Sequence, residues 1–182
     1  MVNPKIFFLS VCFIITAMLT FADELPNGYK TYSFGMSMDE VKEAIKNDSL
    51  LQNVREEVLS IRIDPDKQIL TVYGDRKNGG YVEKAYFHFN DDKLFHIYLQ
   101  LSNAKVGYYS LLKSMTEKYG NATNLEPKKA SWENDSVRIQ IEKPCILKYT
   151  DVETWNSLSS TEEEMEARKN EKIQRESFLE DL

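Results

Sequence analysis

The chain has two histidines, His88 and His96, and both lie in the stretch Tyr81 to Leu101, which reads YVEKAYFHFNDDKLFHIYLQL. Each stands two residues from a tyrosine, Tyr86 on one side and Tyr98 on the other. Imidazole is the side chain best suited to moving protons near neutral pH or holding a transition metal. Tyrosine adds a ring with one apolar body and one polar end. Whether these four residues meet depends on how the stretch folds. Two runs dense in aromatic and β-branched residues flank Asn90-Asp91-Asp92-Lys93, which is the pattern of a β-hairpin. A five-residue loop that sets Phe89 opposite Phe95 places His88 across from His96 and Tyr86 across from Tyr98, all on one face. Phe87 and Phe89 then lie on the other face with Phe95, Ile97 and Leu99, as the buried side. A two-residue loop would instead set Phe89 opposite Leu94 and separate the histidines. Tyr86, His88, His96 and Tyr98 are the candidate partner-binding residues.

Nothing else in the chain points to catalysis. There is no nucleophile elbow, phosphate-binding glycine loop, dinucleotide fingerprint or zinc-type Cys/His spacing. The acidic runs Asp91-Asp92 and Glu162-Glu163-Glu164 lack the alternating oxygens and glycine bend of a calcium loop. The expectation is a protein that is not an enzyme, with no catalytic residues, no cofactor and no metal. The alternative is a metal-binding or enzymatic protein using His88 and His96.

The elements that would position the hairpin can be read in order. Ser37 followed by Glu40 forms a capping box, with Met36 and Val41 as a hydrophobic staple, and Val41, Ala44 and Ile45 continue a helix over about 38–47. Asp48 or Ser49 could cap a further turn through Leu50, Leu51 and Val54. Leu59, Ile61 and Ile63 alternate with polar residues as a strand, and a Pro65-Asp66 turn would set Ile61 opposite Leu70 and Leu59 opposite Val72. A second helix spans Asn103 to Gly120, its stripe formed by Val106, Tyr109, Leu112, Met115 (or Leu111) and Tyr119. Ala130 and Trp132 pair across Asn134-Asp135 with Val137, Ile139 and Ile141. Cys145, Leu147 and Tyr149 form a last short strand.

Both ends of the chain differ from this middle. Residues 6–21 (IFFLSVCFIITAMLTF) form an apolar run after Lys5, with small residues before Asp23, so residues 1–22 read as a cleavable signal peptide. Sixteen apolar residues fall short of the roughly 20 needed to span a bilayer as a helix, and Cys12 sits mid-run rather than at a lipidation position. Cleavage would leave 160 residues (182 − 22) and, with Lys5 gone, a formal charge of −7 rather than −6. That acidic balance argues against nucleic acid and anionic membrane as partners. A membrane would be met only through the signal peptide if uncleaved. Cys145 is then the one cysteine left, which rules out an intramolecular disulfide. From Ser160 the chain is charged almost throughout, opening with a capping box, and reads as a solvated tail helix.

Phe34-Gly35-Met36-Ser37 with Glu40-Val41-Lys42, then Phe87-His88-Phe89 with Asp92-Lys93-Leu94-Phe95, then Lys118-Tyr119-Gly120 and Trp132 before an Ile-rich hairpin form a recurring pattern. Over about residues 30 to 150 it resembles small exported bacterial α+β domains of the BamE-like and β-lactamase-inhibitor-protein-like kinds. The resemblance implies helices packed on one face of an antiparallel sheet, and a binding or scaffolding role with no catalytic residues. Unlike BamE proteins, this chain has no lipid-attachment cysteine at the end of its signal. The expected organisation is a signal peptide (1–22), an α+β domain (23–151) and a charged C-terminal helical tail (152–182). The domain should hold an antiparallel sheet of about six or seven strands with two main helices on one face. The expected function is a non-enzymatic periplasmic or secreted binding or envelope assembly-accessory protein, acting through an exposed sheet face on another envelope protein. An inhibitor of an envelope enzyme is a further alternative.

Overall fold

The computed structural model describes residues 24–51, 56–61, 64–74, 80–161, 166 and 169–170, with side chains left out for 56–61 and 64–66. The signal peptide read over 1–22, the possible turn through Val54, and most of the charged run after Thr161 lie outside the described residues. The fold is α+β. An eight-stranded antiparallel sheet has the order β3-β4-β5-β6-β10-β9-β8-β7. Its strands are β3 (Glu56–Ile61), β4 (Asp64–Tyr73), β5 (Val82–Asn90), β6 (Lys93–Leu101), β7 (Asn124–Leu125), β8 (Lys129–Glu133), β9 (Val137–Glu142) and β10 (Ile146–Asp151). Seven of them are five residues or longer, and β7 is a two-residue edge piece. A small ribbon of β1 (Gly28–Tyr29) and β2 (Tyr32–Ser33) precedes them.

Period-2 alternation explains why this sheet buries one face. Leu70, Phe87, Ile97, Tyr149, Ile139 and Trp132 are successive cross-strand partners and form one continuous buried row. Val72, Ala85, Leu99, Leu147, Ile141 and Ala130 form the row beside it. Alternate residues of each strand point the other way, so register decides which face any residue takes. Helix α1 (Met38–Lys46) and helix α2 (Tyr108–Tyr119) add Met38, Val41 and Ile45, and Tyr108, Met115 and Tyr119, to the same core cluster.

Helix α1 starts where its sequence says it should. Ser37 Oγ accepts the Glu40 amide at 3.3 Å, and the Ser37 amide donates to Glu40 Oε2 at 2.8 Å. The hairpin tip adds a third restraint, because Asp92 Oδ1 accepts the Met38 amide at 3.0 Å. Backbone bonds Gly35 N to Leu94 O (2.8 Å) and Leu94 N to Met36 O (2.9 Å) tie the helix entry to β6.

Several local expectations are corrected. Helix α2 begins at Tyr108, with Gly107 as its N-cap, so its inward stripe starts at Tyr108 and Tyr109 is 72 % exposed. Met115 and Tyr119 of the expected stripe do face inward, and the helix lacks the extra turn read from Asn103. The β3–β4 hairpin pairs Val58 with Leu70, Leu59 with Ile69 and Ile61 with Asp64, rather than Ile61 with Leu70. Pro65 lies inside β4, not in the turn, and a register irregularity between Ser60 and Ile61 absorbs the mismatch. The segment just before Phe34 is the β1–β2 ribbon, with Tyr32 fully buried.

Gly74, just past β4, is a position where only glycine fits. Its amide donates to Glu83 O at 3.0 Å, and a Cβ built there would lie 1.8 Å from Val82 O. Gly74→Ala is expected to cost on the order of 2 kcal/mol or more, through displacement of the β4–β5 connection. Urea denaturation would show it; a midpoint unchanged from wild type would mean that the strand end yields freely.

Candidate functional site

The β5–β6 hairpin reconciles two loop lengths that exclude each other in a regular ladder. Asp91 and Asp92 form a two-residue turn with φ of +50° and +56°, as a type I′ hairpin requires. Asn90 pairs with Lys93, and Phe89 with Leu94. The register then shifts, and His88 pairs with His96, Phe87 with Ile97 and Tyr86 with Tyr98. Phe95 is the extra residue of a β-bulge, where two residues of one strand face one of the other. The five-residue loop expected from the sequence is therefore wrong, yet the pairing of His88 with His96 and Tyr86 with Tyr98 holds. The bulge also moves Phe95: it leaves the inner core, is buried outside that cluster, and sits against His88 with ring centroids 6.3 Å apart.

The outer face thus carries two groups of rings. His88 and His96 meet nearly edge to face at 5.1 Å, and Tyr86 meets Tyr98 at 5.3 Å and 81°. Lys148 of β10 lies over the Tyr98 ring at 5.6 Å and bonds Glu142 Oε1 at 2.8 Å. His96 Nδ1 shares a hydrogen bond with Thr150 Oγ1 at 2.9 Å. Residues 152–161, helix α3, follow β10 directly, and Trp155 packs against His96 with centroids 5.1 Å apart and ring planes tilted by 44°. The candidate residues Tyr86, His88, His96 and Tyr98 are therefore brought together. Phe95, Thr150 and Trp155 were missed because a bulge and a returning helix have no signature at hairpin spacing.

Electrostatics decide what these imidazoles can do. Burial pushes His88 down to about 4, because a charged ring would lose its hydration. Burial likewise lowers His96 to about 3, assisted by the charges of His88 and Lys148. Both rings are neutral at neutral pH and are weak bases. Thr150 engages one nitrogen of His96, and no group of three His, Cys, Asp or Glu suited to a metal occurs among the described residues.

A second polar cluster lies at the end of α1. Asp48 is buried and accepts the Leu50 amide (2.9 Å), Lys30 Nζ (3.1 Å) and the Tyr32 hydroxyl (3.0 Å). Burial works to raise its carboxyl, but these three donors outweigh that, and its pKa lies below the usual carboxylate range. The same burial, with the Asp48 charge beside it, raises the Tyr32 phenol strongly and pushes Tyr29 up to about 12. A shallow pocket of about 350 Å³ beside it is lined by Lys30, Thr31, Ala44, Asn47, Asp48 and Ser49. The carboxylate is fully satisfied from within, so its work is to fasten the β1–β2 ribbon to the helix. Cys145 is equally internal: it is buried, and its thiol donates to Val106 O at 2.8 Å.

No curated protein and no solved structure matches the chain. Residues 27–161 match the TP0088 domain, from just before the β1–β2 ribbon to the last residue of helix α3 as described. The matched region thus includes Trp155 as well as both histidines and runs past Asp151. With most of its length matched in this way, the chain belongs to the TP0088 domain family.

Proposed function

We propose that this protein is a non-enzymatic binding or assembly-accessory protein of the bacterial envelope, exported by its N-terminal signal and acting through the outer face of its sheet. The observation that carries this reading is the outer face itself. Tyr86 packs on Tyr98, and His88 packs on both His96 and Phe95, so two groups of rings lie side by side on the two central strands, edged by Lys148. Aromatic side chains on a rigid element present large contact area at little entropic cost, and such groups dominate the energetics of protein interfaces. The low basicity of both imidazoles speaks against general acid–base catalysis, which works best with a pKa near the operating pH. Helices α1 and α2 lie on the inner face in this reading, leaving the outer face for recognition. The resemblance to BamE-like and inhibitor-protein-like domains supports an envelope setting.

Affinity capture from an envelope extract, with the full exported chain as bait, tests the reading. Tyr86→Ala and Tyr98→Ala should each reduce recovery of the captured protein at least fivefold while leaving the melting temperature within a few degrees of wild type. Equal recovery by wild type and both variants would remove the outer face from the function.

A further inference from the structure

The outer face is drier than an open sheet surface would be. His96 is 7 % exposed, Thr150 5 %, Phe95 8 % and Thr71 3 %. Thr71 is the cross-strand partner of Tyr86 and alternates with the inward Leu70 and Val72, so it belongs to this face. Its hydroxyl has no hydrogen-bond partner, an unusual state for a buried polar group. Helix α3 meets this face at His96. Asp151 Oδ1 caps it by accepting the Thr154 amide at 2.8 Å, and the Val152 amide donates to Ser136 O at 2.9 Å, so its first turn is anchored beside β9. Beyond Val152 the hold is partial, with Thr154, Leu158 and Ser159 half-buried. Trp155 rests on His96 but remains 39 % exposed, and Glu153, Asn156, Ser157, Ser160 and Thr161 are exposed.

We propose that the outer face is a receptor for a helix carrying an aromatic residue, and that helix α3, through Trp155 on His96, fills it in cis as a displaceable lid. The inference rests on the binding role proposed above and names the partner that fits: a helix presenting a Trp-like ring to His96 and a polar group to the Thr71 hydroxyl. A segment joined to its own site acts at a high effective concentration, so a weak contact suffices to keep the face closed. A partner helix opens the face only by binding the open form better than the closed one. Most residues of helix α3 beyond Val152 are exposed, which keeps that difference within reach.

The test uses the full chain and a fluorescein-labelled peptide of residues 152–170. The peptide should bind Trp155→Ala at least tenfold more tightly than wild type, because the variant has lost its own competitor. In 5-fluorotryptophan-labelled protein, His96→Ala should move the Trp155 fluorine signal to a solvent-exposed position and leave the Trp132 signal in place as the mark of an intact core. Equal binding to both proteins, no binding to either, or a Trp155 signal indifferent to His96→Ala would overturn the lid. Envelope capture separates the two ideas. If the peptide binds as expected but Trp155→Ala captures nothing from the envelope, the lid stands and the envelope role falls. If capture succeeds and is the same for wild type and Trp155→Ala, the envelope role stands and the lid falls.

Discussion

Trp132→Ala is expected to lower the stability of the protein by about 4 kcal/mol, within the range seen when large aromatic side chains are truncated in well-packed cores. The ring is 2 % exposed and ends the inner row that runs from Leu70 through Phe87, Ile97, Tyr149 and Ile139. Its indole Nε1 donates to Gly120 O at 2.8 Å, where helix α2 ends and the chain turns back with a φ of +79°. Truncation therefore opens a cavity and also strands the carbonyl at that turn. Trp132→Phe separates the two effects: it keeps most of the ring and removes the hydrogen bond, and should cost roughly 1–2 kcal/mol. Urea denaturation with the slope held common would give both values. A cost below about 1 kcal/mol for Trp132→Ala would mean that the inner row is not the core of this domain.

Acid is expected to unfold the protein through His88 and His96. In the unfolded chain both imidazoles titrate near 6.5, whereas the folded values are about 4 and about 3. Between those values the unfolded chain binds more protons than the folded one, so stability is complete above pH 6.5 and declines as the pH falls. Two protons taken up on unfolding give a steep slope. The loss between pH 6.5 and pH 4 should be on the order of 4 kcal/mol. That is a large part of the 5–15 kcal/mol typical of a whole domain. Urea midpoints measured at half-unit steps from pH 7.5 to 4 would trace it. His88→Gln and His96→Gln should each remove about half of the slope. A slope that survives the double substitution would assign the acid sensitivity to groups other than these two histidines; Asp48 is not among them over this range, because its depressed pKa makes its contribution fade only at still lower pH.

The parts of this fold that were legible in the sequence are those governed by neighbours along the chain. The capping box of Ser37 and Glu40 forms as written because both groups belong to one helical turn. The alternation in Phe87, Phe89, Ile97 and Leu99 places those residues inward because a pleated strand turns every second side chain to the same side. Trp132 meets Ile139 and Ala130 meets Ile141, as the two short alternating runs imply. The candidate site was half legible for the same reason. Tyr86, His88, His96 and Tyr98 share a face by parity alone.

Parity could not decide what happens at the tip of that hairpin, since a two-residue turn and the pairing of the histidines conflict in a regular ladder. Tertiary contacts resolve the conflict. Leu94 bonds Met36 and Gly35, and Asp92 caps Met38, so the turn is held against helix α1 while Phe95 is squeezed out as a bulge. Likewise, nothing near Trp155 in the chain foretells that it rests on a histidine 59 positions earlier. The sequence by itself determined an antiparallel α+β domain and the four residues of one face. Only the tertiary structure decided that this face is dry, that its imidazoles are neutral, and that a helix lies on it. Hydration and burial depend on what the rest of the chain packs against a surface, and a local pattern of residues cannot encode that.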